Sequence, residues 1–498
     1  MNLINIAKNI FSHPKEFFLE NLGIRQTIFK NTLWLVVAEG VSRFLKLILI
    51  IYVARILGTT DYGKFNFAFA FVALFVIFSD FGLSQITTRE FAQDKKREKE
   101  FLAILSLKII LSLGALFLIL ISSFFITPDP LIQKLIWILG LMVIVENFSA
   151  IIFAFFQARQ KMEYQAWSKI FEAVIVTAVG FFVILKFPSV QNLSYAYLST
   201  SLVALIFILL FFHFKIFHLR LSFEKSIWQN FLTMSWPLAL VIFFGAIYSQ
   251  IDSIMMGYFG QITETGWYNA AYKIINMTII PASLISMSFF PVLSKFFRES
   301  KEKLQMAWNY FMESIIFLVI PIVVGGIALA PRIIDFIYGP SYFPSILAFQ
   351  ILLIMAGISF LSFPFRQILI VANQQKKIFW AIFGGAIINV ILNLILIPRF
   401  SLYGAAATAV FTLFLILLLL FGFTLKLTFI KPFNLNFLFS FIGISVSSAI
   451  MYFVISQSPI YHLNILLSVL IGALIYLICF FVYEKIISQF KYKFIKNV

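Results

Sequence analysis

Apolar runs of roughly twenty residues recur along the chain, divided by short polar breaks. A helix of about twenty residues rises about 30 Å, the thickness of a bilayer's hydrocarbon core, so each run reads as a membrane-spanning helix. The pattern predicts fourteen spans: 31–57, 65–88, 101–125, 132–156, 166–187, 193–214, 230–259, 268–293, 307–330, 343–371, 378–397, 403–425, 436–456 and 464–483. Interior prolines predict kinks at Pro237, Pro281, Pro321 and Pro364. A bundle tolerates them because neighbouring groups re-satisfy the freed backbone.

Composition agrees. The chain is 61% hydrophobic and 12% charged, against about half and a quarter in a soluble domain. The expected fold class is therefore an all-α, polytopic membrane protein. Residues 1–30 read as a cytoplasmic amphipathic lead-in carrying Ile6, Ile10, Phe11, Phe17 and Phe18, without the pattern of a cleaved signal peptide. The sole cysteine, Cys479, sits in an apolar run and suits packing. His13, His213, His218 and His462 are scattered without metal-ligand spacing.

The net charge of +17 changes meaning once it is mapped. Sorting the loops alternately, lysine and arginine crowd one set ("REFAQDKKREKE", "SKFFRESKEK", "NQQKK" and the C-terminal tail) and are sparse in the other ("TPDP", "FPSVQN", "GQITETGW"). The positive-inside rule then places both termini in the cytoplasm, which needs an even number of spans. The basic excess is a topology signal, and no nucleic-acid partner is expected. The outward loops are too short to hold a catalytic domain, which argues against an enzyme such as a polysaccharide polymerase.

A repeat lies within the apolar sequence. "DYGKFNFAFA" (61–70) and "ETGWYNAAYK" (264–273) share an acidic residue, Gly63/Gly266, Phe65/Tyr268, Asn66/Asn269 and Ala68/Ala271 in register, each opening a span after a glycine-ended helix. Two halves of six spans follow, 31–214 and 230–425, joined by a cytoplasmic linker at 215–229. Two extra helices (426–483) and a basic tail (484–498) complete the chain. Six is even, so both halves keep one orientation, the parallel repeat of many transporters, with a substrate path expected between them.

Several charges fall inside spans. Glu39, Arg43 and Lys46 are spaced four and three apart and share one helix face. Arg43 lies about 18 Å into its span at 1.5 Å per residue, near the midplane, where a charge costs at least about 2.5–3.5 kcal/mol. One reading is an internal Glu39–Arg43 pair, which leaves Lys46 over. The other is a cationic stripe facing a cleft and attracting an anionic substrate, with Arg55, Lys108 and Lys273 as further candidates. Lys169 and Glu172 read as interfacial. Asp80, Glu146 and Asp252 have side chains too short to reach a surface and are candidates for internal pairs or for coupling to an ion, H+ or Na+, with Asn147, Gln250, Asn389 and Asn393 nearby.

The stretch "ARILGTTDYGKFNFAFAFVALFVIFSDFGLSQITTREFA" (54–92) resembles the signature region of bacterial polysaccharide-repeat-unit (O-antigen-type) flippases of the multidrug/oligosaccharidyl-lipid/polysaccharide superfamily. Arg55, Leu57, Gly58, Tyr62, Gly63, Phe65, Ala68, Gly82, Leu83, Arg89 and Glu90 carry the match. Further matching segments are 252–274, 338–352 and 393–410. The resemblance implies two six-helix lobes with alternating access. It implies a polyprenyl-pyrophosphate-linked oligosaccharide as cargo, carried from the cytoplasmic to the outer leaflet of the bacterial inner membrane. A guanidinium at Arg43 and an ammonium at Lys46 would suit the diphosphate. It also implies membrane lipids and the polysaccharide polymerase machinery as partners, and a monomer without a cofactor. A peptidoglycan-precursor (lipid II) flippase and a multidrug antiporter of the same superfamily are the alternatives. Two cations against one acid in the first span favour an anionic cargo over a cationic drug.

Overall fold

The computed structural model describes residues 20–215 and 222–496, and these form helices with no strand among them. Among the described residues twelve helices are long and apolar enough to cross a membrane. Two of them are double. The 57-residue helix Ile24–Asp80 is broken at Gly58 (φ 77°). The 53-residue helix Gln375–Leu427 is broken at Ser401 (φ 53°), where Gly404 comes against the Leu396 carbonyl as the chain reverses. Counting those two twice gives the fourteen expected crossings.

In chain order the helices are α1 (24–57), α2 (59–80), α3 (Leu83–Gln93), α4 (Phe101–Ile126), α5 (Pro130–Ala158), α6 (Met162–Lys186), α7 (Val190–Lys215), α8 (Lys225–Tyr258), α9 (Ile262–Thr278), α10 (Ile280–Glu299), α11 (Lys301–Tyr338), α12 (Ser345–Val371), α13 (375–400), α14 (402–427), α15 (Leu435–Ser456) and α16 (Ile465–Lys496). The second and eighth spans are each in two pieces. α2 and α3 meet at Phe81 and Gly82, both left-handed. α9 and α10 meet at Ile279, just before Pro281, whose ring removes the N–H that would have continued the ladder. Pro237, Pro321 and Pro364 lie within helices that continue past them.

The chain divides into two compact units, Met1–Gln250 and Ile251–Val498. The boundary falls inside α8, whereas sequence reasoning put it in the 215–229 linker, part of which lies outside the described residues. The packing explains the shift: Phe231 of α8 is wholly buried in the first unit's core, with Phe91, Phe101, Phe155, Phe156 and Phe212. The Phe101, Phe155 and Phe212 rings stand 5.1–5.2 Å apart, tilted or edge-on. Lipid tails are as apolar as these side chains, so close van der Waals packing and aromatic geometry, more than the hydrophobic effect, hold the helices together. The N-terminal lead-in through Phe18, His13 and His218 also lies outside the described residues.

The repeat reappears as turn geometry. After α5 the chain turns through Gln160 (φ 56°), and Lys161 N–H donates to the Phe156 carbonyl at 2.9 Å. After α12 it turns through Asn373 (φ 58°), and Gln374 N–H donates to the Leu369 carbonyl at 2.8 Å. α8 ends the same way at Gly260 (φ 77°), with Gln261 N–H on the Met256 carbonyl at 2.9 Å. A left-handed residue followed by an N–H reaching back past the helix end is a Schellman-type stop. Just beyond the first helix of each half, the amides of Asn66 and Asn269 donate back to the carbonyls of Tyr62 and Thr265, at 2.7 and 2.9 Å.

Candidate functional site

In the first unit, α1 and α6 run side by side. Trp34 meets Trp167, Ser42 Oγ donates to the Lys169 carbonyl at 3.3 Å, and Tyr52 meets Phe181. Residue numbers rise together along both helices, so they are parallel, as two odd-numbered spans must be. Gly180 admits this approach: a Cβ there would lie 2.6 Å from Leu49 Cδ2.

This seam brings six charged side chains together. Glu39 accepts from Arg43 Nε at 2.7 Å and from Lys169 Nζ at 3.1 Å. Lys46 Nζ donates to Glu172 Oε1 at 2.9 Å and lies 4.0 Å from Glu146 Oε1. The i, i+4 pair of Glu39 and Arg43 therefore forms, and Lys46 finds acids on two other helices. Glu172 is ten residues into α6, about 15 Å along it, and Glu146 is a similar depth from the end of α5. Both lie well inside their spans, which replaces the interfacial reading of Glu172. The face has three cations and three acids, so it is charge-balanced and not simply cationic. It is also open: the Arg43 side chain is 51% exposed and that of Lys46 40%. Open charges at this depth belong against water or a polar cargo, because lipid would make each cost at least about 2.5–3.5 kcal/mol.

Lys108 does not join them. Its side chain is wholly buried, its ammonium is bonded to Asp80, and it also donates to Asn147 Oδ1 at 3.3 Å. Asn147 in turn donates to the Val76 carbonyl at 3.2 Å and to Ser79. Lys108 and Asp80 are thus an internal pair bracing the Phe81–Gly82 break, and Lys108 is withdrawn from the substrate-binding set. Arg55 is exposed near the end of α1, about 18 Å along the helix from Arg43. Lys273 is half-buried on α9, in the second unit.

The second unit holds a different polar cluster. Asp252 on α8 accepts from Tyr268 Oη on α9 and from Asn393 Nδ2 on α13, both at 2.6 Å. Asn393 also donates to Asn389 Oδ1 at 3.1 Å. Asn393 Oδ1, Thr408 Oγ1 and Thr412 Oγ1 are buried without a hydrogen-bond partner. α13 and α14 are antiparallel, with Gly385 facing Thr412 and Ile416, and Gly404 facing Leu396. That register sets Thr408 level with Asn389 and Asn393. Sequence reasoning found Asp252, Asn389 and Asn393 but missed Tyr268 and Thr408. A tyrosine and a threonine in apolar helices carry no signal until the register is known. An apolar groove of about 940 Å³ lies elsewhere in this unit, lined by Val323, Gly357, Phe365, Leu417 and Phe437 among others.

Two units of like-ordered spans, with broken second and eighth spans and a further helix pair, define a membrane protein of the flippase and multidrug-transporter fold. The lipid II flippase MurJ, in an inward closed conformation, matches with a TM-score of 0.72 over 92% of this chain and 99% of that one, at 18% identity. An inward-facing MATE family transporter of the MOP superfamily matches at 0.65, over 77% and 94%, with 16% identity. At such identities the likeness is one of fold. The chain itself belongs to the polysaccharide biosynthesis protein family, whose sequence model matches residues 28–297. The capsular polysaccharide biosynthesis protein CapF of Staphylococcus aureus is 23% identical over 406 residues, covering 78% of this chain and 97% of that protein. A Haloferax volcanii protein named "Probable low-salt glycan biosynthesis flippase Agl15" is 29% identical over 172 residues, 33% of this chain and 35% of its own.

Proposed function

We propose that this protein is a lipid-linked oligosaccharide flippase. It carries a polyprenyl-diphosphate-linked glycan from the cytoplasmic to the outer leaflet of the inner membrane by alternating access, with both termini in the cytoplasm. One observation carries the reading: Arg43 and Lys46 stand open at mid-span, each already held by carboxylates. A diphosphate offers the same oxygen chemistry as those carboxylates and can replace them, the guanidinium taking two oxygens and the ammonium one. The family and the names of CapF and Agl15 support the same cargo class. No covalent step is involved. The protein lowers the cost of moving a charged, hydroxyl-rich headgroup through hydrocarbon, while the apolar groove of the second unit has the chemistry to hold an isoprenoid chain.

The Asp252 cluster is our candidate for the coupling-ion site. One carboxylate with amide and hydroxyl oxygens, several of them lacking a hydrogen-bond partner, is a hard-oxygen donor set of the kind that suits Na+ over a transition metal. The test of function is Arg43→Ala, with membrane expression confirmed and surface polysaccharide measured in a flippase-deficient host. Export should fall at least tenfold, and undiminished export would remove Arg43 from the mechanism. In proteoliposomes, transport of polyprenyl-diphosphate sugars but not of cationic dyes separates this reading from a drug antiporter. Lipid II as the substrate separates it from a peptidoglycan-precursor flippase.

A further inference from the structure

We propose that the 3₁₀ turn joining α3 to α4, Lys95–Glu100, presents Lys96 and Lys99 as a binding face for the phosphate of an anionic phospholipid. Such a face goes beyond the transport reading and depends on neither its cargo nor its orientation. It needs only a turn at a bilayer surface, and Phe101 opens the α4 span directly after Glu100.

The segment "KKREKE" reads as a mixed-charge run, and its backbone sorts the charges. Arg97 N–H donates to the Asp94 carbonyl at 3.1 Å, and Phe101 N–H donates to the Glu98 carbonyl. In this i, i+3 pattern side chains three apart eclipse. Three faces result: Lys95 with Glu98, Arg97 with Glu100, and Lys96 with Lys99. Two of them are closed by arginine. Arg97 Nη2 meets Glu100 Oε2 at 2.9 Å, its Nη1 is bonded to Glu90, and its guanidinium stands 5.1 Å over the Phe231 ring. Glu98 accepts two bonds from Arg159, at 3.1 and 2.6 Å, and Arg159 stands 4.4 Å over the Phe155 ring. Asp94 accepts the Lys96 backbone N–H at 2.9 Å. The acids of the turn are thus engaged, and both arginines rest on the aromatic core.

The third face is purely cationic. Lys96 and Lys99 are exposed, and among the described residues neither has an ion-pair partner. Three residues at about 2 Å rise set them about 6 Å apart along the turn. Like charges stacked on one helix face repel, and the arginine clamps keep the turn from opening to relieve it. A phosphate between the two ammoniums converts that repulsion into two charge-assisted hydrogen bonds. The division of labour fits the side chains: the planar forks hold carboxylates, and the compact ammoniums are left for a phosphate. Lysines at a membrane surface attract anionic headgroups for the same reason. Because the turn continues α3, the piece of span two beyond the Phe81–Gly82 break, a bound lipid would fix the far end of that piece at the bilayer surface.

The test puts a bimane label on Gln93→Cys, at the end of α3, in the full chain carrying Cys479→Ala, reconstituted in phosphatidylcholine nanodiscs. Quenching is compared between phosphatidylglycerol and phosphatidylcholine, each with a nitroxide near the top of one acyl chain. With two ammoniums at the surface, the labelled turn should prefer phosphatidylglycerol by about tenfold. Lys96→Gln/Lys99→Gln should lower the preference to about twofold, whereas Lys96→Arg/Lys99→Arg should keep it. Lys95→Gln/Lys225→Gln removes the same net charge at the same end of the helices, since α8 begins beside Ala103, and should leave the preference in place. Equal loss in that control would reveal a diffuse basic field and overturns the paired face, as does a chain without any preference. Full displacement of the labelled phosphatidylglycerol by equimolar farnesyl diphosphate would assign the face to the cargo headgroup and overturns the phospholipid assignment.

Discussion

Replacing Lys108 with methionine tests how the first unit is held together. The lysine side chain is wholly buried, and Asp80 is 15% exposed. Methionine keeps the length and apolar stem of lysine, so the change removes a charge and little volume. Asp80 then keeps one visible donor, Ser84 Oγ at 2.6 Å, and Asn147 loses the donor to its Oδ1. Stripping one partner from a buried ion pair costs about 3–5 kcal/mol. The slight opening around Asp80 and its Ser84 bond put this case near the lower end, at about 3 kcal/mol. For a unit of roughly this size, one kcal/mol moves Tm by about 2–4 °C, so a fall of about 6–12 °C is expected. Asp80→Asn/Lys108→Met removes both charges together and should recover most of the loss, because a neutral replacement of a buried pair is often tolerated. The assay is tryptophan-monitored thermal unfolding in detergent of the wild type, both single variants and the double. A double variant as unstable as the single would falsify the pairing, as would an unchanged Tm in Lys108→Met.

Three further outcomes follow from the same geometry. Glu39→Gln removes the carboxylate that engages both Arg43 and Lys169, and should tighten farnesyl diphosphate binding about fivefold, about 1 kcal/mol at RT per e-fold; weaker binding by calorimetry would show that Glu39 positions Arg43 and does not compete for it. Asp252→Asn should abolish any Na+-dependent stabilisation, which for the wild type should reach about 2.7 kcal/mol at a hundred times Kd and be read as a rise in Tm. A wild type equally stable in Na+ and choline would dismiss the Asp252 cluster as an ion site. Gly180→Ile drives a branched side chain into Leu49, already 2.6 Å from the position of a Cβ, and should cost about 1–3 kcal/mol by overpacking. Adding Leu49→Ala should recover part of it, as read by thermal unfolding.

The spans were legible because bilayer thickness imposes a run length that no other environment demands. The depth of individual charges was less so. Lys169 and Glu172 read as interfacial when span five was started at 166, yet α6 begins at Met162 and carries Glu172 about 15 Å inward. Lys108 read as a candidate for the cleft because only its own helix was considered. Its true partner, Asp80, lies 28 residues away across the helix seam. The repeat was seen through a glycine and an asparagine, but the turns after α5 and α12 were not. Their left-handed residues are Gln160 and Asn373, where glycine is the usual mark. Asp252 and Asn393 are 141 residues apart, and only the folded register joins them.

The two halves share turns and breaks but not charges. In the repeat register that sets Gly63 against Gly266, Glu39, Arg43 and Lys46 fall opposite Ile242, Ala246 and Ser249, and Asp252 falls opposite Leu49. A chain built from two copies of one unit has thus kept the backbone plan while giving each copy a polar set the other lacks. Mid-span charge is costly wherever it occurs, so duplicated charges would double that cost without adding a second cargo. On the proposed reading, the first unit recognises the headgroup through exchangeable ion pairs. The second holds an ion through a closed cluster with Asp252 as its one carboxylate. The two sets are joined in sequence by α8, which begins in the core of one unit at Phe231 and carries Asp252 in the other. Substitutions along α8 between those residues should change the ratio of ion-driven to passive flipping while leaving both binding affinities in place.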